Sequence, residues 1–302
     1  MTSLTLLSPS GVVAQPKQLR LAARRLAALG LEVQIDPSAL ARHQRFAGDD
    51  AVRLAALHRV AAQAPSIAML SRGGYGLTRL LDSIDWALLA RSIEQGTRWV
   101  GHSDFTALQL GLLARGMPTT WAGPMAVDDF GQAPSDGGVD EVTQDCFLEA
   151  MNGQLEAVGF RSAAGWDGLE VSGRLWGGNL SVLCSLLGTR HWPSSRVIRG
   201  GVMFLEDVNE HPYRVERCLL QLRQAGVLDS QRAVLLGAVS GWKPSALDRG
   251  YGLRSMLVRV QEGLRTPLIT GLPFGHVQPK VTLPVGAKVR LVVQGRDVLV
   301  GW

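Results

Sequence analysis

The sequence predicts an α/β protein whose first half builds a parallel sheet covered on both faces and whose second half forms a smaller α/β unit. Three observations lead there. Short apolar runs alternate with segments of helical period as far as Gly116, the pattern of repeated strand–helix units. Capping and stop residues bracket several of the helical segments. The 302 residues, 46% hydrophobic and 19% charged, are enough to bury two ordinary cores.

The elements follow in order. "LTLLSP" opens as a short strand. "QPKQLRLAARRLAALG" then places Leu19, Ala22, Ala23, Leu26 and Leu29 at helical spacing, with Pro16 suited to the first turn and Gly30 to the stop. "LEVQI" alternates as a strand, and "DDAVRLAALHRVAAQA" reads as a helix opened by Asp49 or Asp50. "SIAML" and "TRWVG" are short buried strands, and "DFTALQLGLLARG" is a helix ending at Gly116. After the polar, Gly-rich "DDFGQAPSDGGVD" comes the helix "EVTQDCFLEAMNG". The spacing therefore divides the chain into residues 1–152, a linker over 153–170, and a second unit over 171–302. That unit mixes the strands "LEVSGRLWGG", "GGVMFLED", "RAVLLGAVS" and "KVRLVVQGRDVLVGW" with the helices "NLSVLCSLLG", "YRVERCLLQLRQAG" and "YGLRSMLVRVQEGL".

Composition narrows the function. The formal charge of +5, from 31 basic and 26 acidic residues, is scattered without long like-charge runs, which argues against nucleic-acid binding. Cys146, Cys184 and Cys218 form no C-x-x-C pair, as expected of reduced thiols in a cytoplasmic protein. "MTSLTLLSPSG" has no basic leader and too short an apolar stretch for a signal peptide, and no segment is apolar for the roughly 18 to 20 residues a membrane helix needs. No H-x-x-x-H, H-E-x-x-H or clustered Asp/His pattern occurs, so no metal is expected. Neither a G-x-x-x-x-G-K-[ST] loop nor a G-x-G-x-x-G fingerprint points to a nucleotide, and no cofactor is expected.

In open parallel sheets, ligands bind beyond the carboxyl ends of strands. Two loops leave such ends: "SRGGYG" after "SIAML", and "GHSD" after "TRWV". Ser103 in the second is either a helix cap or a nucleophile at a strand-to-helix corner, since a helix start favours both roles. The turn lacks the second glycine of a G-x-S-x-G elbow, with Phe105 in its place. A nucleophilic serine needs a base, and the base needs an orienting carboxylate. Among six histidines, His276 in the Gly/Pro-rich "GLPFGHVQPK" is the best base; the side chain of His102 is expected to diverge from its neighbour Ser103, and His58 lies on a helix surface. Glu206 and Asp207 end the run "GGVMFLED", and Glu206 has no local capping task.

"LLSPSG", "SRGGYGLTRLLDSIDW", "GHSDFTALQL", "GRLWGGNLSVLCSLLGT", "FLEDVNEHPYRVERCLLQL" and "LPFGHVQPKVTLPVGAKVRL", in this order, resemble the LD-carboxypeptidase family of serine peptidases, which includes muramoyltetrapeptide carboxypeptidases and microcin-immunity peptidases. The resemblance spans nearly the whole chain. It implies a Ser-His-Glu triad split between two domains, with Ser103 as nucleophile, His276 as general base and Glu206 as orienting carboxylate. It further implies an oxyanion hole from the amides of Gly74 and Asp104. A carboxypeptidase must also hold a terminal carboxylate, for which Arg72 or an amide of its loop, at Gly73, is the candidate. The fold the resemblance implies is a class I glutamine-amidotransferase-like N-terminal domain with a smaller C-terminal α/β domain, in a homodimer. The activity it implies is cleavage of the L,D bond to the terminal D-alanine of murein tetrapeptides in cytoplasmic peptidoglycan recycling. An immunity-type peptidase acting on a peptide–nucleotide amide is the alternative; a non-catalytic anion-binding protein is the more distant one. Val277 departs from the family pattern, which has glycine after the histidine.

Overall fold

The computed structural model describes residues 2–117, 119–163 and 165–302. Through the first half the alternation produces β1 (Thr2–Leu7), α1 (Pro16–Ala28), β2 (Leu31–Ile35), α2 (Asp50–Gln63), β3 (Ile67–Leu70), α3 (Trp86–Glu94), β4 (Arg98–Gly101), α4 (Thr106–Ala114), β5 (Thr120–Ala122) and α5 (Glu141–Asn152). Pro16 starts α1 as expected, and Asp49 caps α2 by accepting from Val52 N at 2.8 Å. The helix α3, which the sequence pattern did not bring out, is capped in the same way by Asp85. Strands β2, β1, β3, β4 and β5 lie side by side in parallel, and β1, β3 and β4 run through the buried middle of the sheet.

The second half adds β6 (Ala157–Arg161), β7 (Glu170–Asn179), α6 (Leu180–Leu186), α7 (Ser195–Ile198), β8 (Val202–Val208), α8 (Pro212–Gln224), β9 (Ala233–Ser240), α9 (Leu253–Gln261), β10 (Leu268–Thr270), β11 (Leu283–Val285), β12 (Lys288–Gln294) and β13 (Asp297–Gly301). Its sheet has the order β10-β9-β8-β7-β12-β13-β6. β7 serves two partners: its first part pairs antiparallel with β12, and its last part runs parallel to β8.

Two features depart from a clean division along the chain. The stretch 153–170, expected as linker, contains β6, which becomes an edge strand because its backbone pairs with β13 from Ala157 opposite Gly301 to Arg161 opposite Asp297. β11 leaves the second half and pairs antiparallel with β5, so residues 283–285 complete the first sheet.

The helix that follows the "GHSD" turn joins the halves. α4 reads "TALQLGLLA", apolar all round rather than on one stripe, and a helix of that kind must be buried on every side. It packs on α6 and β7 of the second half, burying Leu108, Leu110, Leu112 and Leu113. Each such leucine contributes about 1.5–3 kcal/mol. Gly111 lets the ring of Trp86 approach; a Cβ there would meet the indole at 2.2 Å.

Candidate active site

At the carboxyl end of β4 the chain passes through His102 and turns at Ser103 with φ of +61°, then enters a short 3-10 turn and α4. A non-glycine residue in the left-handed region is uncommon and costs about 1–3 kcal/mol, so it persists only where neighbours over-determine it. The Ser103 hydroxyl makes no capping bond here: His102 occupies the cap position of the 3-10 turn and Phe105 that of α4, neither with a side-chain cap. This strained strand–turn–helix placement is similar to that of a nucleophile elbow, without its second glycine.

The neighbours that hold the turn come from two other loops. Asp104 is buried, and its Oδ2 accepts from Ser10 Oγ at 2.7 Å and from Leu77 N at 2.8 Å. The loop after β1 and the loop after β3 are thereby tied to the Ser103 turn. Burial pushes the Asp104 carboxyl above its ordinary value, against the pull of those two donors. Gly73 lies directly over Ser103: a Cβ at this position would be 2.7 Å from both Cβ and Oγ of the serine. Gly11 N donates to Gly73 O at 3.1 Å, which turns that carbonyl toward the β1 loop. In a trans peptide the N–H points opposite the C=O, so the Gly74 amide faces away from Gly11. The Asp104 amide nitrogen lies beside the same glycine, 3.5 Å from where its Cβ would be.

Glu206 lies near the carboxyl end of β8, at a register shift between Leu205 and Asp207. Its side chain is fully buried. Oε1 accepts from Asn179 Nδ2 at 3.1 Å, and Oε2 accepts from His276 Nδ1 at 2.9 Å. Asp207 points elsewhere, taking bonds from Ser181 N, Ser181 Oγ and Asn179 Nδ2, and burial raises its carboxyl above the ordinary value. Gly275, at φ of +130°, lets the histidine loop settle on this carboxylate; a Cβ there would lie 3.1 Å from Glu206 Cβ and Oε2. With Nδ1–H given to Glu206, His276 keeps Nε2 as its proton acceptor, and its side chain is 21% exposed.

The two half-sites are stitched by α4. Asn179 N donates to Thr106 Oγ1 at 2.9 Å, and Gly178 has no room for a side chain against that threonine. The His102 ring lies edge-on to the His276 ring, centroids 4.9 Å apart. The expected divergence of His102 from Ser103 is therefore only half of its role: it turns inward and packs against the proposed base. Its Nδ1 is 2.9 Å from Gly123 O, a pure acceptor, so Nδ1 carries the proton. Burial, with Lys280 and His276 beside it, holds this imidazole well below its usual pKa.

A cavity of about 290 Å³ opens beside these rings, lined among others by Asp128, Gln132, Val277 and Lys280. Burial and neighbouring Asp129 raise Asp128 above the ordinary carboxylate value. Arg72 is half-buried on the glycine loop; its Nη1 donates to Val12 O at 3.0 Å, while its Nε is buried without a partner among the described residues. His58 caps nothing catalytic: its Nε2 accepts from Asp85 N. Sequence reasoning passed over Asn179, Asp129 and Lys280. The asparagine had a signal, since an Asn before a helical run is a capping residue, and Asn179 does accept from Val182 N.

Comparison with known proteins identifies the family. The model of the LD-carboxypeptidase N-terminal domain matches residues 4–123, and that of the LD-carboxypeptidase C-terminal domain matches residues 172–291. The probable murein peptide carboxypeptidase of Bacillus subtilis is 30% identical over 284 residues, 91% of this chain and 84% of its own. The crystal structure of muramoyltetrapeptide carboxypeptidase from Oxalobacter formigenes superposes with a TM-score of 0.88 at 38% identity, covering 99% of this chain and 98% of that one. The microcin C7 self-immunity protein MccF of Escherichia coli is 24% identical over 260 residues, 76% of this chain and 72% of its own.

Proposed function

The chain belongs to the LD-carboxypeptidase family, and from that premise we propose that it is a serine carboxypeptidase that releases the terminal D-alanine of murein tetrapeptides. The observation that carries the reading is the Glu206–His276 hydrogen bond of 2.9 Å beside a strained serine turn. Ser103 Oγ attacks the carbonyl carbon of the residue before D-alanine and His276 Nε2 takes its proton. Glu206 holds the imidazole in the Nδ1–H tautomer and stabilises it once charged. The amides of Gly74 and Asp104 receive the oxyanion, each such donor being worth about 3–4 kcal/mol of barrier. Collapse breaks the C–N bond as His276 returns the proton to the leaving amine. Water, deprotonated by the same nitrogen, then cleaves the acyl ester and restores Ser103.

Arg72, with the Gly73 loop, takes the terminal carboxylate in this reading. The division into a nucleophile-bearing unit, residues 1–152, and a unit supplying Glu206 and His276, residues 171–302, belongs to it too. So do a class I glutamine-amidotransferase-like first sheet, a homodimer and a cytoplasmic role in peptidoglycan recycling. No described helix is long and apolar enough to cross a membrane.

The test is incubation with murein tetrapeptide and mass spectrometry for the loss of one alanine. No alanine release by the wild type rejects the substrate; release by Ser103→Ala at more than a few per cent of the wild-type rate rejects the nucleophile. The similarity to MccF favours one second reading, an immunity-type peptidase acting on a peptide–nucleotide amide with the same three residues. Parallel assays of both substrate classes separate the two.

A further inference from the structure

The loop that bears His276 is a bridge between the two halves of the molecule. Val281 N donates to Pro273 O at 2.9 Å and closes its neck. On one side it rests on the second sheet, through Ala238 N to Phe274 O at 2.9 Å and through His276 to Glu206. On the other side its anchor is Lys280. This lysine is 2% exposed, an unusual state for an ammonium group, which is rarely buried unless paired. Its Nζ contacts Asp129 Oδ1 at 2.8 Å and Oδ2 at 3.0 Å, and reaches His102 Nε2 at 3.3 Å. Its backbone N donates to Thr143 Oγ1 at 2.8 Å, and Asp129 is itself fixed by Met125 N at 2.7 Å.

A buried ion pair is weak grounds for stability, because desolvating both charges offsets most of their attraction. What the arrangement does supply is direction. The proton on His102 Nδ1 is committed to Gly123 O, so Nε2 offers a lone pair, and only a donor such as the Lys280 ammonium satisfies it. The neutral ring is then clamped from both ends, and its edge meets the His276 ring. His102 is covalently next to Ser103, while Lys280 is four residues along the loop from His276.

We propose that Lys280 is a positioning residue: its buried ammonium, held by Asp129 and donating to His102 Nε2, registers the histidine loop on the nucleophile turn and so sets the Ser103–His276 approach. The role rests on the peptidase reading, since its first test needs a reactive Ser103: a wild type that takes no label rejects that reading, and the second measurement below then decides the placement of Lys280. Displacing a catalytic group by about 1 Å costs on the order of 100-fold in rate. In the double variant Lys280→Met with Asp129→Asn, both charges leave the interior together and an acceptor for Met125 N remains. We expect its labelling at Ser103 by a fluorophosphonate to slow about 100-fold, with kcat for alanine release falling in step while KM and melting temperature stay near the wild type. Labelling at the wild-type rate by the folded double variant overturns the proposal. Labelling needs no murein peptide, so a wrong substrate assignment does not alter what this experiment decides. A second measurement uses the wild-type protein alone: in its ¹⁵N spectrum at neutral pH, His102 is expected as the neutral Nδ1–H tautomer. A ring protonated at Nε2 overturns the proposal even if the variant does not fold.

Discussion

Glu206 and His276, separated by 70 residues of chain, share a hydrogen bond of 2.9 Å in which the carboxylate is fully buried and the imidazole opens to solvent on its other side. In the proposed triad the acid supplies orientation and a compensating charge, and the ring's other nitrogen takes and returns the proton. Neutralising the acid keeps the shape and inverts the hydrogen-bond logic. Glu206→Gln is expected to lower kcat by about 10⁴-fold, the scale on which a triad fails when its carboxylate becomes an amide, with KM little changed. Steady-state kinetics on a released amino acid checks it; a kcat within tenfold of the wild type rejects the orienting role.

Gly73→Ala probes the contact above the serine. The added methyl would sit 2.7 Å from Ser103 Oγ, and both the serine and its strained turn are buried against fixed backbone. Relief requires the hydroxyl to move, so fluorophosphonate labelling is expected to fall by about 100-fold. The melting temperature should drop by only a few degrees, since overpacking typically costs about 1–3 kcal/mol. Parallel labelling and thermal scans separate displacement from unfolding.

Asn179 holds two carboxylates at once, Glu206 through one amide hydrogen and Asp207 through the other. Asn179→Ala leaves a buried oxygen of each without this partner and removes the cap of α6. Stability should fall by about 2–4 kcal/mol, combining a lost cap with an unsatisfied buried acceptor. Urea titration reads that loss directly. Asn179→Asp is expected to be worse, because it sets a third acid against two that are already buried.

Much of the first sheet was legible because its strands are apolar runs joined by helices of clear period, and the cap Asp49 and the first-turn Pro16 act where their chemistry suggests. β5 and β11 were not, for they are only three residues each, and β11 owes its place to pairing with β5 across more than half the chain. The same contrast holds at the site. Ser103, Glu206 and His276 stand out singly as residue types at strand ends and in a glycine loop. That His102 turns inward, and that Lys280 and Asp129 neutralise each other beside it, follows only from tertiary contact. A lysine before the apolar "VTLPVG" run carries no local mark of its burial.

The pH dependence of folding carries the signature of His102. Its folded pKa lies well below the ordinary value of 6.5, so the unfolded chain binds a proton that the native ring refuses. The stabilising contribution is complete above pH 6.5 and is lost as pH falls toward the depressed folded value, with a slope of about 1.4 kcal/mol per pH unit. Asp104, Asp128 and Asp207 act in the opposite sense, since their raised folded values favour the native state on acidification. They operate above 3.8, in a window that overlaps the lower part of this one. Comparing wild type with His102→Gln isolates the histidine: as pH falls from 7 to 5 the wild type should lose more stability than the variant in urea unfolding. Parallel curves for the two proteins would remove the neutral-ring assignment.

Arg72 offers the test of carboxylate recognition. Its guanidinium is tethered by one bond to Val12 O, on the same loop whose Gly73 overlies Ser103, and its buried Nε has no partner among the described residues. A planar fork held in that way is suited to a carboxylate, which it can meet with two parallel donors. Amidating the terminal carboxyl of the peptide should therefore cost the wild type about 2–3 kcal/mol in kcat/KM, roughly the worth of a charged hydrogen bond. Arg72→Ala should lose a similar amount on the free acid and little more on the amide, so the preference collapses. Arg72→Lys keeps the charge without the fork, and only partial recovery is expected from it. If Arg72→Ala still discriminates acid from amide as the wild type does, the terminal carboxylate is held elsewhere, with the loop amides next in line.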